Sequence, residues 1–296
     1  MSEKRIKNRD LLLKLFGVEK PIIGMLHLPA LPGSPHYGGE TLAEIIKFTL
    51  TDLDAYIRGG VNGFIVENHG DIPFLKPADI GPETIAAMSV IAAEVVRISK
   101  PKNLPVGINC LANHAIGALA VAKAAMADFI RVNQWVNAYI ANEGFVEGKA
   151  GKVLRYRSHI RADEVVVFAD VNVKHGSHSI VADRSIAEQI KDALFFDADV
   201  LIATGFRTGD PPSIETLRET EEFSHVPLIA GSGVDFENVE GILAYADGAI
   251  VGTCFKEDGI WHHRVDSQRV RTMMSKVERL RRHNEAGSSK ERQRSS

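Results

Sequence analysis

The sequence predicts a single α/β domain, a (β/α)8 TIM barrel with an N-terminal capping helix, and three observations carry that prediction. Short β-branched apolar runs alternate with amphipathic helical patterns along almost the whole chain. There are eight such runs, the number that closes a barrel. The glycine fingerprint of an open dinucleotide-binding sheet is missing after the first run, where His27-Leu28-Pro29-Ala30-Leu31-Pro32-Gly33 stands instead.

In chain order, residues 1–20 form the capping segment: a charged start and a short apolar stretch without the small-residue cleavage site of a secretion signal. The barrel is expected over 21–283, with strands at 22–28, 63–68, 105–111, 129–133, 165–173, 200–205, 227–234 and 249–254. The runs are apolar on both faces, as in a parallel sheet covered by helices. The helices are expected at 41–58, 82–99, 114–127, 149–161, 184–196, 213–223, 237–245 and 265–282. Pro82 suits a first turn, Ser213 and Asp235 suit N-caps, and Gly59-Gly60 ends the first barrel helix. Residues 284–296 are polar and basic and are expected to be a disordered tail.

Composition narrows the function. A net charge of −3 spread over both signs provides no basic field for nucleic acid, and no apolar segment is long enough to insert into a membrane. Cys110 and Cys254 lie far apart with no metal-type spacing, which fits a reducing, cytoplasmic setting. A small-molecule partner and a homo-oligomeric state are expected.

In a barrel of this kind, chemistry gathers at the C-terminal strand ends and the loops that follow. The first run ends in His27, the second in Glu67 and Asn68, the third in Asn109, the fourth in Asn133 and the sixth in Thr204. The fifth is the richest, with Asp170, Asn172, Lys174 and His175. Residues two apart share a strand face, so Phe168, Asp170, Asn172 and Lys174 form one line, expected to face the lumen, and Arg131 shares a face with Asn133. Any one of these could be an ordinary buried hydrogen-bonder. Polar residues at so many strand ends together point to a converging site.

Within it, Glu67, Asp170 and His27 are the expected catalytic groups, acting as acid or base or holding a divalent metal ion on His27, Glu67 and Asp170. Lys174 offers a Schiff-base variant. Asn68, Asn109, Arg131, Asn133, Asn172, His175 and Thr204 are the expected substrate-binding residues. No nucleotide cofactor is expected, since the glycine loops lack the Walker lysine and spacing.

A phosphate site is expected where Gly231, Ser232 and Gly233 follow the seventh run and Gly252 and Thr253 end the eighth. Glycines there let backbone amides approach an anion, and barrels often hold phosphate after these two strands. Gly205 and Arg207 supply a second anion cradle. Three long loops, 29–39, 69–81 and 134–148, are expected to act as lids or interface arms, with Trp135, Tyr139 and Phe145 either covering a ligand or packing on a neighbour.

The segment Pro21-Ile22-Ile23-Gly24-Met25-Leu26-His27-Leu28-Pro29-Ala30-Leu31-Pro32-Gly33-Ser34-Pro35 resembles the opening signature of the BtpA family, also called BtpA/SgcQ. So do Val66-Glu67-Asn68, Gly107-Ile108-Asn109, Arg131-Val132-Asn133, Ala169-Asp170-Val171, Thr204-Gly205 with Thr208-Gly209, and Gly231-Ser232-Gly233. The resemblance implies a barrel related to the ribulose-phosphate-binding group and strengthens the phosphate reading, without supplying a reaction. The family is named for a member linked to photosystem I accumulation, although other members occur where there is no photosynthesis. Ribulose-phosphate epimerases have a similar outline but use histidines and aspartates as metal ligands on several strand ends. Asn109 and Ser232 stand at such positions here, so that metal site is not reproduced.

The expected function is therefore an enzyme of carbohydrate metabolism, a phosphosugar lyase, isomerase or hydrolase. The alternative is a non-catalytic assembly or regulatory factor. It would be marked by an apolar patch on the 134–148 loop and an empty barrel mouth.

Overall fold

The computed structural model describes residues 10–173, 176–205 and 210–294. Eight parallel strands close a barrel: β1 (Ile22–His27), β2 (Gly63–Glu67), β3 (Val106–Asn109), β4 (Phe129–Val132), β7 (Val166–Val171), β9 (Val200–Ala203), β10 (Leu228–Ala230) and β11 (Gly248–Val251). β1 pairs with β2 on one side and β11 on the other, which completes the ring. All eight lie inside the runs expected from sequence, give or take a residue at their ends.

The helices form where local chemistry starts and stops them. Thr41 and Glu44 make a reciprocal capping box at the start of α2 (Leu42–Gly59), and Gly60 ends it in the left-handed conformation at φ 89°. α3 (Pro82–Ser99) begins on its proline. Asp235 Oδ1 accepts from the backbone of Glu237 and Asn238, ahead of the short α8 (Val239–Leu243). Helical backbone in α9 (Ser267–Arg294) continues into the segment expected to be a tail.

Outward-facing strand residues and the inner faces of the helices form one large core that includes Val66, Ile108, Val167 and Ala249. A second apolar cluster fills the lower lumen, with Ile23, Met25, Ile65, Phe129, Phe168, Ile202, Ile229 and Ile250. α1 (Leu11–Phe16) plugs its lower end: Leu12 and Phe16 belong to this cluster, and the Phe16 ring meets Phe129 edge-on at 5.9 Å. Phe129 stacks on Phe168 at 4.4 Å. Gly63 and Gly107 make room, since a Cβ on either would strike the Phe16 or Phe129 ring.

The 134–148 loop contains more order than its sequence suggested. β5 (Ala138–Ala141) and β6 (Gly144–Glu147) form an antiparallel hairpin, and β8 (Gly176–Ser177) adds a third strand. Among the described residues, no helix is long and apolar enough to cross a membrane.

Candidate functional site

At the mouth, inward positions change character within one step of the strand alternation. On β1, Met25 is followed two residues later by His27; on β2, Ile65 by Glu67; on β4, Phe129 by Arg131; on β7, Phe168 by Asp170. His27, Glu67 and Asn109 are register partners across β1, β2 and β3. On β10 and β11 the corresponding steps lead to Gly231 and Gly252, where any side chain would fill the lumen. A cavity of about 840 Å³ opens above these residues.

One wall of the cavity is a carboxylate held by imidazoles. Glu67 Oε1 lies 3.1 Å from His69 Nδ1 and 3.7 Å from His27 Nε2, and Glu67 Oε2 accepts from Asn109 Nδ2 at 2.5 Å. His27 Nδ1 faces the Trp261 carbonyl at 3.4 Å, and the Trp261 ring meets His69 edge-on at 4.6 Å. The segment carrying Trp261 is tied to α2. Asp52 receives hydrogen bonds from the Lys256 ammonium and the Val265 backbone, and an ion pair from Arg264 at 3.2 Å.

Electrostatics fix the charge states on this wall. Burial drives the His27 pKa down to about 3, against the pull of the Glu67 carboxylate. Burial alone would raise Glu67, but the hydrogen bond and charge of His69, with His27 and Arg131, outweigh it and hold Glu67 at about 2. At neutral pH a neutral imidazole therefore faces an ionised carboxylate.

The floor is a buried ion pair. Arg131 grips Asp170 with two bonds, Nε to Oδ1 at 3.0 Å and Nη2 to Oδ2 at 2.9 Å, and Nη2 also reaches the Gly231 carbonyl at 3.5 Å. Burial opposes the Arg131 charge, yet the charge and hydrogen bonds of Asp170, with Glu67, raise its pKa further. Arg131 lines the cavity while Asp170 lies beneath it. With both oxygens engaged, Asp170 is neither a free base nor near the carboxylate and histidines that could share an ion, contrary to the expectation from sequence.

The wall that adjoins His27 on the β11 side is mostly backbone. Gly231, Ser232 and Gly233 after β10, and Gly252 and Thr253 after β11, line the cavity as expected. Gly233 sits at φ 60°, and a Cβ there would strike the Asp210 backbone, so glycine is required. Arg269, on α9, also lines this end, fixed by a bond from Nε to the Cys254 carbonyl at 2.8 Å and by stacking on Phe236. The hairpin forms part of the rim: Tyr139, Ala141, Asn142 and Glu143 line the cavity. Trp135 is buried behind it with its indole N–H on the Phe196 carbonyl, while Phe145 points outward.

The remaining expected residues divide. Asn133 lines the cavity, and its buried Oδ1 accepts no hydrogen bond from the described residues. Asn109 positions Glu67. Asn68 is turned away from the lumen: its amide donates to Asp71 and to the Leu111 carbonyl, and its oxygen accepts from the Leu111 N–H at 2.7 Å. It is a clamp between two loops, because it lies one residue from inward Glu67 and so faces out. Asn172 takes a left-handed φ of 55° beyond the end of β7, and its carbonyl receives the Thr204 hydroxyl at 3.4 Å, so the two brace each other beside the site. Gly205 makes room for Asp210 instead of lining the cavity. Lys174, His175 and Arg207 lie outside the described residues.

His69 and Arg269 were not anticipated. His69 had a signal, since it stands two residues beyond Glu67 and so continues the inward line. Arg269 had none, because it reaches the mouth from the last helix.

Known proteins resemble this chain at two levels. A solved (S)-3-O-geranylgeranylglyceryl phosphate synthase from Thermoplasma acidophilum, in complex with sn-glycerol-1-phosphate, superposes with a TM-score of 0.55. At 14% identity over 92% of this chain and 97% of that one, the likeness shows the fold alone. Sequence relatives are nearer. An uncharacterized protein of Archaeoglobus fulgidus is 42% identical over 257 residues, covering 87% of this chain and 98% of its own. The photosystem I biogenesis protein BtpA of Synechocystis is 36% identical over 264 residues, 88% of each chain. The model of the BtpA family matches residues 18–279, from the end of the capping segment to the middle of α9. With its strand ends, its glycine wall and nearly all of its barrel inside that match, the chain belongs to the BtpA family.

Proposed function

We propose that the protein is an enzyme acting on a small phosphorylated sugar or related metabolite. The phosphate is held by the backbone wall at Gly231, Ser232, Gly233, Gly252 and Thr253, with Arg269 as its cation. The reacting part of the ligand lies against Glu67, His27 and His69. The observation that carries this reading is that both walls border one cavity, at the end of the barrel where the residues after β10 and β11 line a lumen left free by glycine.

Each residue then has a task. Asn133, whose buried oxygen on the cavity has no partner among the described residues, accepts from a ligand hydroxyl. Arg131, held rigid by Asp170, presents its remaining N–H groups to an oxygen of the substrate. Glu67 is the centre of the chemistry, either moving a proton through its histidine partners or ligating a divalent ion with them. The reaction classes compatible with this set are lyase, isomerase and hydrolase.

The 134–148 segment favours this reading over an assembly factor of the kind the Synechocystis relative's name describes. Its hairpin contributes four residues to the rim of the cavity, while Ile140 and Phe145, paired across its strands, form the exposed apolar face on which an assembly role would have to rest.

The test is a thermal-shift panel of phosphorylated sugars against their unphosphorylated counterparts. A ligand at about 100 times its dissociation constant adds roughly 2.7 kcal/mol of stability. Stabilisation by phosphorylated compounds, lost in Gly233→Ala, is expected. A flat response to every phosphorylated compound sinks the reading.

A further inference from the structure

We infer that His27, Glu67 and His69 together bind one divalent transition-metal ion at the barrel mouth, with a coordination position left open to the cavity. His27 Nε2, a Glu67 oxygen and His69 Nδ1 all lie within 4.8 Å of one another. The two separations from Glu67 Oε1, 3.1 and 3.7 Å, bracket those of two ligands sharing an ion at about 2.1 Å.

The supporting contacts are those that metal-binding histidines and carboxylates require. A ligating histidine usually gives its other ring N–H to a carbonyl or carboxylate. His27 Nδ1 faces the Trp261 carbonyl, which can take its N–H when Nε2, 3.7 Å from Glu67, ligates an ion. A cation bound between His27, Glu67 and His69 would meet the carboxylate and one ring nitrogen of each histidine at once. Asn109 holds the other oxygen of Glu67, so that Oε1 is the one facing both histidines, His69 Nδ1 at 3.1 Å and His27 Nε2 at 3.7 Å. Arg131 does not fill that role, because its fork is closed on Asp170.

The donor set also selects the ion. Two imidazole nitrogens and one carboxylate oxygen suit zinc, cobalt, iron or manganese, whereas magnesium and calcium favour oxygen ligands throughout. Three protein ligands in place of four are the pattern of a catalytic site, whose free position takes water or substrate. This deepens the proposed function, resting on it only in that the open position faces the cavity assigned to the phosphorylated ligand.

The experiment uses the full chain, stripped with chelator and titrated separately with Zn2+, Co2+ and Mg2+. Bound metal is counted by equilibrium dialysis, and the Co2+ form is followed by its visible absorption. One equivalent of Zn2+ or Co2+ is expected, bound far more tightly than Mg2+. Loss of an outer-sphere partner typically weakens such a site about 10- to 100-fold, and His69→Ala and Glu67→Gln should do at least as much. His159→Ala, on the exposed face of α5 (Ala150–His159), should leave binding unchanged.

His69 is on a half-buried loop position, so His69→Ala should fold even if Glu67→Gln does not, with circular dichroism as the check. No stoichiometric binding to the wild type, or equal binding by folded His69→Ala, overturns the inference. Phosphate-dependent stabilisation of a chain that binds no metal would sink this inference and leave the proposed function standing. Metal bound through His69 with no response to phosphorylated ligands would do the reverse.

Discussion

The two ends of the barrel lumen are built from the same strands, two residues apart, and follow opposite rules. The lower end is dry and apolar: Phe16, Phe129 and Phe168 pack in sequence from the capping helix inward. The upper end places Glu67, Arg131, Asp170 and His27 at the next inward positions. Packing sets the first region and charge pairing the second. Apolar packing and the charged candidate site are thereby separated along the strand axis, and variants at the two ends should fail in different ways.

The steepest test is Arg131→Ala. It leaves the Asp170 carboxylate buried without a partner, and breaking such a pair typically costs about 3–5 kcal/mol. Denaturant unfolding should show a loss of that size, accompanied by loss of the phosphate response. An unchanged unfolding midpoint would mean that the pair does not hold the mouth together. Phe16→Ala is the counterpart at the lower end, opening a cavity under Phe129 at a cost of about 3 kcal/mol. Here the ligand-induced thermal shift should keep its full size. Should it shrink with stability, the two ends are coupled and the comparison fails.

The alternation that separates the two ends is also what made the fold legible in sequence. The run at 63–68 became β2 (Gly63–Glu67), and the helix expected at 82–99 is α3 to the residue. Inward placement of Arg131 and Asp170 followed from the same period. What the period does not encode is contact between strands. Nothing local says that the Arg131 fork closes on Asp170, which turned an expected base into a positioning carboxylate. Treating the polar end of β2 as one group hid its parity, so Asn68 was counted inward and His69, two beyond Glu67, was passed over. The β5–β6 turn at Asn142-Glu143 lacks the Asn-Gly or Asp-Gly signal of a tight hairpin, so the segment read as an open loop. Trp261 and Arg269 come from beyond the last strand, and only the closed ring brings them to the mouth.

Asn68 supplies a sharper test of parity. Asn68→Ala strips the Leu111 N–H of its acceptor and the loop clamp of its donor, a loss of about 1–3 kcal/mol. Because Asn68 faces away from the lumen, the stabilisation gained from a phosphorylated ligand should match that of the wild type. A weaker ligand response with unchanged stability would return Asn68 to the substrate-binding set.

The finest test compares two successive inward positions, Ile250 on β11 and Gly252 just beyond it. A Cβ added at Gly252 would lie 3.1 Å from His27 Cε1 and 3.4 Å from Nε2, so in Gly252→Ala the ring must yield by a few tenths of an ångström. At a cavity wall this overpacking should cost only about 1 kcal/mol. The displaced Nε2 no longer aims at Glu67, and metal affinity should fall roughly tenfold, the scale at which orienting contacts act. Ile250, one inward step deeper, is buried in the apolar cluster, and Ile250→Val should cost a similar 1 kcal/mol or so without moving a metal ligand. Two substitutions with nearly equal unfolding midpoints should therefore differ about tenfold in the concentration of Co2+ needed for half saturation. If both change affinity equally, the division of β11 between packing and chemistry does not hold.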